Sequence, residues 1–335
     1  MKKLYLFTVI CCSVLSVNAQ LDFNSLLTAG IDDARRFGNE YFRAGAESAL
    51  YNISNGWING GKSKNLGHFE ISIMANGTFI RDDRQQFTLN TADYDNLEFQ
   101  QGGTVQDVAN IFGANDPAVG VRVNTGNPLQ PEARFNLPDG LGNNGVKLVP
   151  TFFIQGAVGL IKGTEVKLRF IPKIETDEVS TQLFGAGIQH ELTGWIPGWD
   201  LLPVGISGVI GYTNLKANYD LTSSNLIEGE NQQVDVNMNS WVFAAVVGTK
   251  LPVINFYGSL GYTSGKSTTD LLGTYRVRSG VLSNEEVTDP FSLEHKISGV
   301  KATVGTKLTL AFFRINVDYS IQEYDNLSIG LNFGW

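Results

Sequence analysis

Apolar and polar residues alternate along most of the chain with a period of two, the pattern of strands with one apolar face. The C-terminal stretch shows it most plainly. Leu327, Ile329, Leu331, Phe333 and Trp335 fall on one face, and Asn326, Ser328, Gly330, Asn332 and Gly334 on the other. One apolar side and one small, polar side suit a strand between lipid and a lumen, with the final aromatic in an interfacial girdle. Leu66 to Ile80 repeats the pattern: Phe69, Ile71, Ile73 and Phe79 alternate with Glu70, Ser72, Met74 and Thr78. From Leu148 onward the alternation is regular. It predicts strands over Val149 to Ile161, Glu165 to Ile174, Val179 to Trp195, Pro203 to Tyr219, up to Thr249, Val253 to about Arg278, Phe291 to Ala311, from Phe312, and from Asn326.

Two stretches depart from it. Phe23, Leu26, Leu27, Ile31, Ala34 and Phe37 recur at three- and four-residue spacing, with Asp32, Asp33, Arg35 and Arg36 between them. This predicts a short amphipathic helix, resumed over Tyr41 to Tyr51 after Gly38. Asn55-Gly56-Trp57 and Gly60-Gly61 then break the chain. Two placements of this segment are open, a helical cap at a barrel mouth or a hatch inside the lumen. Its candidate hatch residues are Phe23, Leu26, Leu27, Ile31 and Phe37. In Arg84 to Val146, Phe87 to Phe99 reads as a strand, Thr104 to Phe112 as a short helix, and four proline-bearing stretches as turns.

The connections sort by length. Counting back from the C-terminus, the turns near Ala311, Thr249 to Pro252, Ile196 to Leu202 and Lys162 to Thr164 are the short set. Tyr324 to Asn326, Ser279 to Asp289, Leu221 to Gln232, Asp177 to Ser180 and Arg81 to Val146 are the variable, often long set. Short turns on one rim and longer loops on the other mark outer-membrane barrels, and place Trp195, Trp199 and Trp335 on the periplasmic rim. The expected fold is therefore all-β: an antiparallel transmembrane β-barrel of about 12 strands, within 10 to 14, with a short helical N-terminal hatch. The expected organisation is a signal peptide over 1–19, a hatch or plug over 20–64 and a barrel over 65–335, with a large outer loop region at 81–147.

The extreme N-terminus supports export. Lys2 and Lys3 precede the apolar run Leu4 to Leu15, and Val17-Asn18-Ala19 offers small residues before a cut ahead of Gln20. Cys11 and Cys12 follow Val9 and Ile10, which do not form a lipobox, and cleavage would remove both thiols. The mature chain would then hold no disulfide and no thiol metal site. Its formal charge of −8 would become −10 once Lys2 and Lys3 leave. Nucleic acid, which wants a basic face, is not an expected partner.

Charges within the strands have one inexpensive direction, because an unpaired charge on the lipid face costs a few kcal/mol near the midplane. The candidate lumen lining is Glu70, Glu165, Lys167, Arg169, Lys173, Glu191, Lys301, Lys307, Arg314 and Asp318. These could fill a narrow barrel as an ion-pair network or select solutes. Catalytic signals are thin. The three histidines, His68, His190 and His295, sit in no recognised motif, and only His295 has Ser292 and Glu294 nearby. Asp82-Asp83 and Asp93-Tyr94-Asp95-Asn96 could offer oxygens to Ca²⁺, but acidic loops are ordinarily just solvated. No enzyme activity, cofactor or metal is expected.

Asn55-Gly56-Trp57, His68-Phe69-Glu70-Ile71, the run Gly163 to Pro172 and Gly211-Tyr212-Thr213 carry a resemblance of the mature chain to an uncharacterised family of bacterial outer-membrane barrels. In layout it is distantly similar to FadL-type transporters of long-chain fatty acids and aromatic hydrocarbons. Those join an N-terminal hatch, a barrel and large early outer loops, and pass apolar solutes sideways into the membrane. This chain is shorter, and where they carry an Asn-Pro-Ala motif it reads Ala44-Gly45-Ala46-Glu47-Ser48-Ala49. The resemblance implies an outer-membrane channel for small hydrophobic molecules, gated by the N-terminal segment. A closed structural or surface-binding barrel is the alternative, and an outer-membrane enzyme a minor one. Expected partners are outer-membrane lipid, the barrel-assembly machinery through Asn326 to Trp335, and a hydrophobic small-molecule ligand.

Overall fold

The computed structural model describes residues 23–124, 132–176, 178–195, 197–199, 203–221, 229–278 and 284–334. The expected signal peptide, Cys11, Cys12 and Trp335 lie outside them. Ten antiparallel strands form a closed ring: β1 (Phe69–Phe79), β2 (Leu148–Gly159), β3 (Thr164–Glu175), β4 (Val179–Glu191), β5 (Val204–Asp220), β6 (Gly229–Thr249), β7 (Ile254–Arg278), β8 (Phe291–Leu310), β9 (Phe313–Ile321) and β10 (Asn326–Gly334). Neighbours in sequence pair around the ring, and β10 closes it on β1 from Glu70↔Gly334 to Thr78↔Asn326.

The strand number is a correction: ten, not about 12. Between β1 and β2 the strands Gln86–Asn90 and Val105–Ala109 form one small sheet, and Leu97–Phe99, Gly120–Val123 and Ala133–Asn136 another. They hold only 3 to 5 residues each. A membrane-crossing strand needs about 9–11. The Ile80 amide donates to the Lys147 carbonyl (2.9 Å), so this excursion leaves and rejoins the wall at one point. The helix expected over Thr104 to Phe112 is in fact the strand Val105–Ala109. An eleventh strand of the main sheet, Asn284–Thr288, pairs only with the end of β7 and stays outside the ring.

The outer face of the ring is an apolar belt. Ile71, Ile73, Ile154, Phe170, Ile188, Phe243, Leu260, Val304, Ile329 and Phe333 are all exposed. Between them the inward positions are buried: Asn326, Ser328 and Asn332 along β10, with charged residues such as Glu70 and Arg169 and apolar ones such as Met74, Phe153 and Leu183 elsewhere. A folded chain in water does not leave a continuous belt of this kind uncovered.

The upper rim carries the connections 80–147, 176–178, 221–228, 279–290 and 322–325, and the lower rim 160–163, 192–203, 250–253 and 311–312. The length sorting holds except that 192–203 is longer than the other lower-rim turns, while 176–178 and 322–325 are no longer than 160–163 or 250–253. Trp195 and Trp199 are exposed on the lower rim. The wall is uneven in height. β6, β7 and β8 have 21, 25 and 20 residues, while β9 and β10 have 9 each.

Helices α1 (Phe23–Leu27) and α2 (Ile31–Ile53) lead into the lumen from the upper rim. The helical break falls at Gly30, with φ 104°, rather than at Gly38, which lies inside α2 against Leu293 of β8. Leu26, Leu27 and Phe37 are buried in one cluster with Leu89, Leu97, Val108 and Val121 of the small sheets and Leu271, Tyr275 and Leu293 of the tall wall. Ile31 is exposed, and only the backbone of Phe23 is described. Asp33 accepts from the backbone amides of Asp95 and Asn96, both at 2.8 Å. The Tyr41 hydroxyl donates to the Asp139 carbonyl (2.9 Å), and burial, followed by the Asp139 carboxylate, holds its pKa above the ordinary phenol value. The small sheets and the first half of α2 thus form a cap on the upper rim.

Candidate functional site: a threaded lumen

Below Ile53 the chain runs without helix down the lumen to the lower rim, and wall side chains hold its backbone. Arg169 on β3 is completely buried. One of its terminal nitrogens donates to the carbonyls of Ile53 and Asn55, both at 3.0 Å, and the other to Gln155 Oε1 at 3.1 Å. Its guanidinium carbon lies 3.5 Å from the ring centroid of Trp57 and 4.3 Å from that of Phe153. The Ile53 carbonyl is one of the orphan acceptors at the end of α2, where a cation is also favoured by the helix dipole.

The same arrangement continues downward. Lys167 donates to the Trp57 carbonyl (2.7 Å) and to Gln189 Oε1 (2.9 Å). Lys301 donates to Asn55 Oδ1 (2.6 Å), Gln189 to the Gly60 carbonyl (3.0 Å) and Ser207 to the Gly61 carbonyl (2.7 Å). The Ser63 and Lys64 amides donate to Glu191 (3.2 Å) and Glu165 (2.9 Å). This answers the main cost of burying non-helical backbone in the lumen, namely unpaired carbonyls and amides. The Trp57 indole lies flat against the wall because Gly187 and Gly211 leave room. A Cβ there would stand 2.7 and 2.6 Å from the indole.

Charges gather at the lower end. Glu70 is buried and accepts from Asn59 (2.9 Å), and it pairs with Lys64 (3.1 Å), Arg314 (3.1 Å) and Lys307 (3.5 Å). Glu165 pairs with Lys64 (3.3 Å) and Lys167 (3.4 Å). Burial alone would lower the Lys64 ammonium, but Glu165 and Glu70 outweigh it and hold the group above its ordinary value. Higher up, Asp318 accepts from Tyr257 (3.1 Å).

Of the expected lumen residues, Glu70, Glu165, Lys167, Arg169, Lys301 and Asp318 are buried inside, and Glu191, Lys307 and Arg314 sit at the lower mouth. Lys173 is the exception and a correction. It is exposed at the upper rim and pairs with Glu175. The β3–β4 register shifts between Ile171 and Ile174, so the alternation that pointed Lys173 inward ends at Ile171. The periodicity did not single out Trp57, Asn59, Lys64, Gln155, Gln189 or Ser207. The Asn-Gly-Trp and Gly-Gly steps, facing Gly187 and Gly211, are the signal that could have found Trp57.

Between β2 and β3 the wall is incompletely paired. β2 pairs β1 over its whole length, from Phe79↔Leu148 to Phe69↔Val158. It pairs β3 only from Ile154↔Phe170 to Gly159↔Glu165. Above that level Leu148 to Phe153 and Ile171 to Glu175 face each other without a ladder. Pro150 and Pro172, one on each lip, lack the N–H a ladder needs. Behind the lips lies an apolar cluster that includes Val149, Phe153, Ile171 and Leu183 of the wall and Leu50 and Ile53 of α2.

The histidines are scattered. His190 shares a hydrogen bond with Thr164 (3.0 Å), His295 with the Asn39 carbonyl (2.8 Å), and His68 lines the lower mouth. Glu294 is engaged by Lys266 and Lys296, both at 2.6 Å. Among the described residues no group of three or more histidine, cysteine or acidic side chains could hold a metal ion.

The chain is similar to several solved barrels. It covers 81% of itself and 99% of Ail, the attachment invasion locus protein of Yersinia pestis, at 8% identity and a TM-score of 0.27. For the transport unit of the autotransporter AIDA-I from Escherichia coli the shares are 89% and 98%, at 8% identity and 0.31. For a Pseudomonas aeruginosa FadL homologue they are 88% and 96%, at 11% identity and 0.24. At such scores none of these bears on function. No curated protein matches the chain. Residues 1–335 match DUF6588, a family of unknown function, and the chain belongs to that family.

Proposed function

We propose that this protein is an outer-membrane channel for small hydrophobic molecules, plugged along its axis and open sideways between β2 and β3. The apolar belt would sit in lipid, the lower rim in the periplasm and the cap outside. The observation that carries the reading is the unladdered lip pair, Leu148 to Phe153 against Ile171 to Glu175, with apolar side chains directly behind it. A barrel wall normally satisfies its backbone ladder throughout the hydrocarbon. A gap backed by charge would leak ions, whereas one backed by Val149, Ile171 and Phe153 suits an apolar solute. No covalent chemistry belongs to this proposal.

The test is uptake of labelled fatty acid, beside a small sugar, by cells lacking their own hydrophobic-compound transporters. The chain is expected to support fatty-acid uptake. Ile171→Asp, which sets a carboxylate behind the lips, is expected to cut it about tenfold while heat-modifiable mobility shows an intact barrel, since burying an unpaired charge costs several kcal/mol. Unchanged uptake in an assembled Ile171→Asp barrel would sink the lateral route.

One observation favours the alternative of a closed barrel that displays a binding surface. Leu26, Leu27 and Phe37 pack in one buried cluster with Leu89, Leu97, Val108 and Val121 of the cap strands. No fatty-acid flux from a correctly assembled protein would select that reading.

A further inference from the structure

The lower mouth holds a recess of about 400 Å³ bounded by residues 59–65, the 249–252 turn and the ends of β8 and β9. Its charge is unbalanced. The linked ion-pair group contains four cations, the buried Lys167 and the half-buried Lys64, Lys307 and Arg314, and two buried carboxylates, Glu70 and Glu165. The group therefore carries an excess of two positive charges. Lys62 and Lys250 add to the lining, with Lys250 paired to Glu191 (3.0 Å). This concentration stands in a chain whose net charge is −8. A second observation points to a missing partner: Ser63 lines the recess, is 4% exposed, and its Oγ has no hydrogen-bond partner among the described residues.

We propose that this recess binds a phosphate group. A phosphate carries about −1.5 to −2 at neutral pH and three strong acceptor oxygens. It would balance the excess charge, take donors from Lys307 and Arg314, whose one carboxylate partner here is shared with Lys64, and accept from the Ser63 hydroxyl. Arginine and lysine together give the fork and the point charge that recognise phosphate oxygens. The group could come from a soluble phosphate or from the headgroup of a lipid beside the rim. The proposal does not depend on the hydrophobic-channel reading.

The test uses the purified full chain in detergent, titrated calorimetrically with inorganic phosphate and, in a second arm, reconstituted with phosphatidylglycerol or phosphatidylcholine vesicles. Saturable binding of free phosphate would assign a soluble ligand. Binding only with phosphatidylglycerol would assign a headgroup. Lys307→Gln with Arg314→Gln is expected to weaken either by about tenfold or more, because charge-assisted hydrogen bonds are lost. Lys266→Gln, on the outer face of the tall wall, is expected to change nothing. If the double variant fails to assemble, Ser63→Ala and Lys62→Gln read the same site, each with a several-fold loss. Binding that is absent in both arms, or equally strong in the lower-mouth variants and in Lys266→Gln, would overturn the proposal.

Discussion

Replacing Arg169 by methionine is expected to turn a silent barrel into a leaking one. The substitution keeps the stem and removes the guanidinium, so the lost element is the latch rather than the packing volume. The carbonyls of Ile53 and Asn55 would remain buried without that donor. Each unsatisfied buried acceptor costs about 1–3 kcal/mol, and the loss of a desolvated cation–π interaction with Trp57 about 2 more. Planar-bilayer recording should therefore show rare or no openings for the parent protein and sustained ion conductance for the variant. Cells carrying the variant should admit small hydrophilic antibiotics. If the variant is as tight as the parent while its barrel is assembled, residues 53–57 are not held mainly by Arg169.

Phe37→Ala is expected to detach the cap without dissolving the ring. Phe37 is buried, stacks on Tyr41 at 5.6 Å and meets Phe87 edge-on at 5.7 Å. Truncating such a side chain costs about 3–5 kcal/mol. Through Phe87 it fastens α2 to the cap strand Gln86–Asn90, well away from the lipid-facing belt. Limited proteolysis of intact cells should cut within 81–147 far faster in the variant, while heat-modifiable mobility of the barrel is retained. Simultaneous loss of both would mean that cap and ring fold as one cooperative body.

The ring was legible in the alternation because lipid on one side and a filled lumen on the other impose opposite demands on consecutive residues. That demand acts on Ile71 and Ser72 as on Leu331 and Asn332, so every wall strand shows it. The strand number was overestimated because Phe87 to Phe99 satisfies the same period in pieces that cross nothing. Whether such pieces join the wall depends on pairing across distant sequence, which periodicity does not encode. The inward charges were legible from side alone, as Glu70 and Arg169 demonstrate. Their partners were not, since alternation says which way a side chain points and not that Arg169 meets carbonyls where Glu70 meets cations. Lys173 was misplaced for a local reason, a bulge beside Pro172 that shifts the count by one.

The path of residues 31–64 from the upper to the lower rim makes the molecule a mechanical interlock, a ring closed around its own axle. The axle runs directly into β1, and β1 is the strand on which β10 shuts the ring. Pushing Trp57 and its neighbours through a finished ring would mean dragging bulky side chains past a filled bore. The expected order of assembly is therefore that the axle is laid first, the nine later strands wrap it, and the β1–β10 seam closes last. Assembly intermediates trapped with β10 unpaired should already shield the Trp57 indole from quenchers, and a bare indole at that stage would reverse the order.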